Sequence, residues 1–262
     1  MYWVEVAPKA QGKHARPVPA FAYVNLDDPI RPDLAAAHRR AWERISRPGT
    51  WLDGAERVAV AAAARDARDC PLCAERKQAL SPYAVDGRHA GESALPEALL
   101  DAVHRVASDA GRLTGRFVEK LQAAGVSDAH YVEAVGVTVQ LLSIDAVHRG
   151  LGIALEPLPA PQEGVPSRHR PAGAASEGFF VPMVKPSQLE GEDQDLFGGR
   201  VTGNVIRALS LVPDEVRALT DLSAAQYLTP KEMMRFDSPR AIDRAQIELV
   251  AGRISALNEC FY

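Results

Sequence analysis

The segment 53–77 constrains the fold most, because it joins an alanine-rich helix to a Cys-x-x-Cys pair. Asp53 is suited to cap a helix, and the following run GAERVAVAAAARD has a high helix propensity. The chain then reaches Cys70 and Cys73, with Pro71 between them. Because proline is favoured in the first turn of a helix, a second helix is predicted to start at this pair. We therefore expect two neighbouring thiols at a helix N-terminus.

The same arrangement occurs again near the end of the sequence. Asp243 precedes the run RAQIELVAGRISALNE, and Cys260 follows Asp243 at the same interval at which Cys70 follows Asp53. Two copies of one helix-then-cysteine unit are therefore predicted. The second copy stops at Tyr262, where its second cysteine would fall. If the native chain continues, a second cysteine and a histidine are expected to follow.

Composition and periodicity favour an all-α fold. Apolar residues make up 47% and charged residues 24% of the 262 residues, which is ordinary for a globular protein. Aromatic residues contribute only 6%, and almost no segment alternates with a period of two. The most apolar helical segment, HYVEAVGVTVQLLSIDAVHRGLG, is predicted to lie at the centre of a bundle or at a subunit interface.

The distribution of prolines predicts how the chain is divided. Residues 1–33 read as an extended N-terminal arm, and residues 34–156 as a first helical unit. A proline-rich linker spans residues 157–194, where no helical period is found. Residues 195–262 form a second helical unit, which is incomplete at its C-terminus.

Charge and hydropathy exclude several classes of partner. The net charge of −4 and the absence of a basic run argue against nucleic acid binding. No apolar stretch approaches the roughly 20 residues that a membrane span needs. The N-terminus lacks the apolar core of a signal peptide, so a cytoplasmic protein is expected. Three cysteines are too few for a disulfide framework.

The Cys70 and Cys73 pair is typical of redox-active or metal-binding proteins. A helix N-terminus stabilises a thiolate, and the second thiol can resolve a sulfenic acid formed on the first. Two inert buried cysteines, or half of a zinc site, are the alternatives. Zinc needs four ligands, and the sequence has no second Cys-x-x-Cys and no His-x-x-x-His, so no metal is expected. His89 lies in a glycine-bearing loop that could fold over the cysteines, and His104 is predicted to be an ordinary helix residue.

Two C-terminal segments carry a resemblance to a known family. NVIRALSLVPDEVRALTDLSAAQYL and DRAQIELVAGRISALNECFY resemble the AhpD-like alkylhydroperoxidase and carboxymuconolactone decarboxylase superfamily. Its core reads Glu, eleven residues, Cys-x-x-Cys, three residues, His. The resemblance is closer over 204–262 than over 33–152, where the apolar helix is similar to the one that follows the site in the peroxidase-related branch.

The resemblance implies an all-α, AhpD-like helical bundle that forms homo-oligomers and needs no bound cofactor. It implies reduction of hydroperoxides through the cysteine pair, with a dithiol reductant protein or a small thiol as partner. In the first copy it gives Cys73 the peroxidatic role and Cys70 the resolving role. The family's histidine position holds Lys77, and its glutamate position holds Val58, with Glu56 two residues earlier.

In the second copy, Glu248 and Cys260 match the glutamate and the first cysteine of the family core. His148, one helical turn after Asp145, could form a hydrogen-bonded pair with it and is a further candidate for a supporting role.

Two other functions remain open at this stage. The missing glutamate and histidine in the first copy favour a degenerate, non-catalytic protein that binds a small ligand or a partner in the helix cleft. A carboxymuconolactone-decarboxylase-like enzyme would use the cleft without cysteine chemistry. The reactivity of the Cys73 thiol distinguishes the peroxidase from both alternatives.

Overall fold

The computed structural model describes residues 21–23, 26, 29–198, 202–235, 237 and 240–258. Helices account for 56% of the residues and strands for 2%, so the predicted all-α class is confirmed. Most of the predicted N-terminal arm lies outside the described residues, and so does Cys260. No helix in the described part of the chain is long and apolar enough to cross a bilayer.

Ten helices and a small strand pair are found among the described residues. The helices are α1 Pro32–Ser46, α2 Gly54–Asp66, α3 Pro71–Gln78, α4 Glu97–Asp109, α5 Gly115–Ala123, α6 Asp128–Gly150, α7 Asn204–Arg207, α8 Pro213–Gln226, α9 Pro230–Met233 and α10 Arg244–Leu257. Strands β1 Ala174–Ala175 and β2 Met183–Val184 pair antiparallel within the predicted linker.

The two predicted helix starts are confirmed, and both use the same cap. Asp53 accepts a hydrogen bond from the backbone N–H of Glu56 at 2.8 Å, and Glu56 Oε2 accepts one from the N–H of Asp53 at 2.9 Å. Asp243 and Gln246 form the equivalent pair at the start of α10. Each capping box satisfies N–H groups that a helix start otherwise leaves unpaired.

The packing of these two related helices differs. In α2, Val60, Ala61 and Ala64 are buried in the main core. In α10, the equivalent of Val60 is Val250, which is 53% exposed, and Ile247 is the one buried residue that the structure describes in this helix. The internal similarity therefore extends to the cap and not to the packing.

Helix α6 lies at the centre of the fold, as its sequence predicts. It packs against α2, α4 and α8, while α1 packs against α2 and α8. Val137, Leu141 and Ile144 of α6 are fully buried, and Val216 and Leu222 of α8 belong to the same hydrophobic core. The second predicted unit therefore contributes α8 to the core of the first.

The segment after residue 157 is extended and lies against the turn between α1 and α2. The Gln162 N–H donates to the Ser46 carbonyl oxygen at 2.7 Å, and the Arg168 N–H donates to the Thr50 carbonyl oxygen at 2.8 Å. Hydrogen bonds of this kind satisfy the backbone of a segment that has no helix of its own.

A buried ionic cluster ties α2, α6 and α8 together. Arg57 Nη1 donates to a carboxylate oxygen of Glu133 and, at 2.7 Å, to Glu215 Oε1. Gln140 Nε2 donates to Glu215 Oε2 at 2.8 Å, and the Trp51 N–H donates to Glu133 Oε2 at 2.5 Å. Burial raises the pKa of Glu133 to about 7, and the negative charge of Glu215 adds to this shift. The positive charge of Arg57 opposes it.

Gly136 is required where α6 meets this cluster. A Cβ at position 136 would lie 2.4 Å from Glu215 Oε2 and 2.8 Å from its Cβ. We expect Gly136→Ala to lower the free energy of unfolding by about 1–2 kcal/mol, because the clash outweighs the better helix propensity of alanine. Gly252→Ala in α10 is the matched control, since a Cβ there meets nothing within 4 Å. Urea denaturation should show no loss for this control; equal losses in both variants would contradict the prediction.

Candidate functional site

The cysteine pair lies at the start of α3, as predicted. Cys70 occupies the position before the first helical residue, and Pro71 is that first residue. Cys73 follows within the first turn. A 3-10 turn at Ala67–Asp69 connects the end of α2 to the start of α3, where both cysteines lie. Both sulfur atoms therefore lie near the free N–H groups of a helix start.

Two histidines from separate elements complete the site. His89 comes from the segment between α3 and α4, and His104 comes from α4. The Nδ1 atom of His89 lies 3.6 Å from Cys70 Sγ and 3.7 Å from Cys73 Sγ. The Nδ1 atom of His104 lies 3.4 Å from Cys73 Sγ. The four potential ligand atoms all lie within 4.8 Å of one another.

Asp101 of α4 fixes the orientation of His89. Its Oδ1 atom is 2.9 Å from His89 Nε2 and accepts a hydrogen bond from Arg76 Nη1 at 2.5 Å, while its Oδ2 atom accepts one from Arg105 Nε at 2.9 Å. Burial opposes ionisation of this carboxyl, but the bonds to His89 and the two arginines hold its pKa well below its usual value. A charged Asp101 keeps the His89 ring turned with Nδ1 towards the sulfurs.

The two histidines differ in their protonation. Burial lowers the pKa of His89, but its hydrogen bonds to Asp101 and to both cysteines outweigh this effect and raise the pKa to about 10. Burial and the nearby His89 lower the pKa of His104 to about 4. Burial raises the pKa of the Cys70 thiol, but bonds from the Ala90 and Cys73 backbone and from His89 bring it down to about 7. A protonated His89 thus faces the thiols at neutral pH.

Access to the two sulfurs is unequal. Cys70 is 1% exposed and Cys73 is 4% exposed. Cys73, but not Cys70, lines an open cleft of about 430 Å³ between α2, α3, α4 and α6. Three cationic side chains border this cleft, namely Arg68, Lys77 and Arg149, against one acidic side chain, that of Asp69. A small molecule in the cleft would therefore meet Cys73 first, in a positively charged setting.

Of the predicted site residues, Cys70 and Cys73 lie together, and Lys77 borders the same cleft as Cys73. The other predicted residues that the structure describes lie elsewhere. Glu56 belongs to the capping box of α2. Glu248 accepts a hydrogen bond from Tyr227 Oη at 2.7 Å and pairs with Arg244, and its side chain is half exposed.

His148 is also placed away from the thiols. It is buried on α6, where Nδ1 is hydrogen-bonded to the Ile144 carbonyl oxygen at 3.0 Å and the ring packs against Tyr23. The predicted pairing with Asp145 is wrong, because that carboxylate accepts two hydrogen bonds from Arg65 at 2.8 and 2.7 Å. Asp145 pairs with Arg65 of the facing helix α2 rather than with His148, because the arginine makes two parallel, charge-assisted hydrogen bonds.

Sequence reasoning missed His104 and Asp101 as members of the site, and it offered His89 only as a loop residue that could fold over the cysteines. The spacing between the two histidines and the cysteines matches no short motif, since the residues come together only when α4 folds back onto α3. Asp101 and Arg105, one turn apart on the helix that carries His104, are the available sequence signal.

Comparisons with protein-family models, with curated proteins and with solved structures find no match for this chain. The chemistry of the site is therefore inferred from its own geometry.

Proposed function

We propose that Cys70 and Cys73 form a redox-active pair that reduces hydroperoxides, which makes the protein a thiol-dependent peroxidase. The observation that carries the proposal is the contact of both sulfurs with Nδ1 of His89, whose other nitrogen is held by Asp101. A histidine so placed can stabilise a thiolate and supply a proton to a leaving oxygen. In this proposal His89 does the work of the glutamate and the histidine that the family resemblance implies.

The proposed cycle begins at Cys73, because this thiol borders the open cleft. The Cys73 thiolate attacks the terminal oxygen of the hydroperoxide, the O–O bond breaks, and the alkoxide leaves as an alcohol after gaining a proton. Cys73 is then a sulfenic acid. The Cys70 thiolate then attacks the sulfenic acid sulfur of Cys73. A disulfide forms, and the hydroxide leaves as water after gaining a second proton. His89, next to both sulfurs, is the residue placed to donate these protons.

A dithiol protein or a small thiol completes the cycle. It reduces the Cys70–Cys73 disulfide by exchange and becomes oxidised itself. The net reaction converts one hydroperoxide and one dithiol into an alcohol, water and a disulfide. A reducing, cytoplasmic setting is part of this proposal, because the cycle consumes free thiols. The AhpD-like helix arrangement and the homo-oligomeric state also remain predictions, which light scattering of the purified protein can test for the oligomer.

A second candidate is a non-catalytic protein that binds a ligand or partner in the cleft beside Cys73. The observation in its favour is the near-complete burial of both thiols. The capping role of Glu56 adds to it, because this carboxylate is engaged at the start of α2 and not at the thiols. No contact among the described residues specifically favours the decarboxylase-like alternative.

Peroxide consumption in the presence of a dithiol reductant tests the proposal. We expect turnover in the wild type and none in Cys73→Ser, because the attacking atom is lost. Cys260→Ser is the matched control, since it removes the third cysteine and leaves the proposed site intact. Turnover that survives Cys73→Ser but is lost in Cys260→Ser would move the site to the second copy. An absence of turnover in the wild type would favour the binding candidate.

A further inference from the structure

We propose that Cys70, Cys73, His89 and His104 bind a divalent cation of the zinc class. Two thiolates and two imidazoles are a common donor set of tetrahedral zinc sites in proteins. With metal–sulfur bonds of about 2.3 Å and metal–nitrogen bonds of about 2.0–2.1 Å, a sulfur and a nitrogen on one tetrahedral ion lie roughly 3.5 Å apart. Three of the four sulfur–nitrogen distances here are 3.4, 3.6 and 3.7 Å, and the fourth, between Cys70 and His104, is within 4.8 Å.

The orientation of the histidines supports the same conclusion. Both rings present Nδ1 to the sulfurs. His89 Nε2 meets Asp101, which is the carboxylate–histidine arrangement that orients metal ligands in known sites.

His104 gives an independent indication. Its ring is fully buried, and Nε2 has no hydrogen-bond partner in the described part of the chain. Cys73 Sγ is the polar atom that the structure places next to its Nδ1, at 3.4 Å. Burial of a polar ring with so little compensation is costly, and coordination of a cation through Nδ1 would offset that cost.

The position of the site indicates what a bound cation would do. Cys70 and Cys73 belong to a small apolar cluster, with Ala67 and Leu72, that is separate from the main core. The segment between α3 and α4 contributes His89 but little other burial, and Leu80 within it is fully exposed. Four protein ligands would leave no open coordination position, which is typical of structural sites. The cation would therefore stabilise the attachment of α3 to α4.

Metal binding does not depend on the proposed peroxidase activity, but the two would compete for the same sulfurs. The bound cation holds both thiolates as ligands. In the step that rests on the proposed function, a hydroperoxide accepts two electrons from the two thiolates, a disulfide forms, and both metal–sulfur bonds break. The products are the disulfide, an alcohol, water and the released cation, with two protons taken up from solvent.

Titration of the reduced, metal-stripped full-length chain with Co²⁺ tests the site. We expect one equivalent to bind, with the visible absorption of tetrahedral cobalt and a thiolate-to-cobalt charge-transfer band. Competition against a colorimetric chelator then gives the Zn²⁺ affinity. His104→Gln should weaken Zn²⁺ binding at least about 100-fold, and Asp101→Asn, which keeps all four ligands, by about 10–100-fold. Cys260→Ser should bind as the wild type does.

The outcomes separate this inference from the proposed function. Stoichiometric binding that depends on His104 and Asp101, in variants whose circular dichroism matches the wild type, supports the metal site even if peroxide is never consumed. Failure of the wild type to bind Co²⁺ or Zn²⁺ overturns the metal site, whatever its peroxidase activity. Binding that is unchanged in both Asp101→Asn and His104→Gln overturns it as well. If His104→Gln does not fold, Asp101→Asn decides.

Discussion

Arg57→Ala is expected to lower the free energy of unfolding by about 3–5 kcal/mol, because it leaves two buried carboxylates without their shared cation. Arg57 is 3% exposed in its side chain and bridges Glu133 on α6 to Glu215 on α8. The variant keeps both glutamates in the core, where an uncompensated negative charge is far more costly than in water. Urea denaturation at pH 7 measures the loss.

Arg40→Ala is the matched control for this experiment. Arg40 also pairs with a carboxylate, that of Asp221, but its side chain is 49% exposed. The expected loss for an exposed pair is below about 1 kcal/mol, because water screens the attraction. Losses of equal size in Arg40→Ala and Arg57→Ala would contradict the importance of the buried cluster.

The pH dependence of the Arg57→Ala variant gives a second test. In the wild type the pKa of Glu133 is already raised to about 7, and removal of Arg57 removes the charge that opposes the shift. A carboxyl whose pKa is raised by folding binds protons more tightly in the folded state, so stability falls as the pH rises through that pKa. The variant should therefore recover stability between pH 7 and pH 5. Adding Glu133→Gln and Glu215→Gln should remove this pH dependence.

The second large effect is a difference between the two cysteines when a single equivalent of hydroperoxide is added to reduced, metal-free protein. Cys70→Ser keeps the attacking thiol on the cleft, so it should react once and stop at the sulfenic acid of Cys73. A 1,3-dione probe, which traps sulfenic acids, should label this variant. Cys73→Ser should give no labelling at Cys70, because Cys70 does not border the cleft.

Cys73 is expected to react before Cys70 because it borders the cleft, although both residues carry a thiol. If Cys73→Ser were labelled at Cys70 as strongly as Cys70→Ser is at Cys73, the assignment of attacking and resolving roles would be reversed. Circular dichroism of both variants shows whether α3 is retained. Labelling confined to Cys260 would contradict the proposed site altogether.

Local features of the chain were predictable because they depend on neighbouring residues. The helix starts at Asp53 and Asp243 follow from side-chain caps, and the thiol pair at the start of α3 follows from Pro71. The capping role of Glu56 was also readable from its position three residues after Asp53. The central place of α6 followed from its apolar character on nearly all sides.

The assembly of the site depends on contacts between distant segments. His104 reaches Cys73 because α4 packs against α3, and no spacing along the chain encodes that contact. Helix α10 has the same cap as α2 but is far less buried. A cap specifies where a helix begins, and it does not specify which other elements pack against that helix. The role of Arg57 cannot be predicted from its own segment either, because its two carboxylate partners come from other helices.

The most direct test of the proposed function is the location of the disulfide after one equivalent of hydroperoxide is added to reduced, metal-free wild-type protein. Peptide mass spectrometry should find Cys70 joined to Cys73, with the loss of two free thiols per chain and Cys260 still reduced. Intact thiols at both positions, or oxidation confined to Cys260, would contradict it.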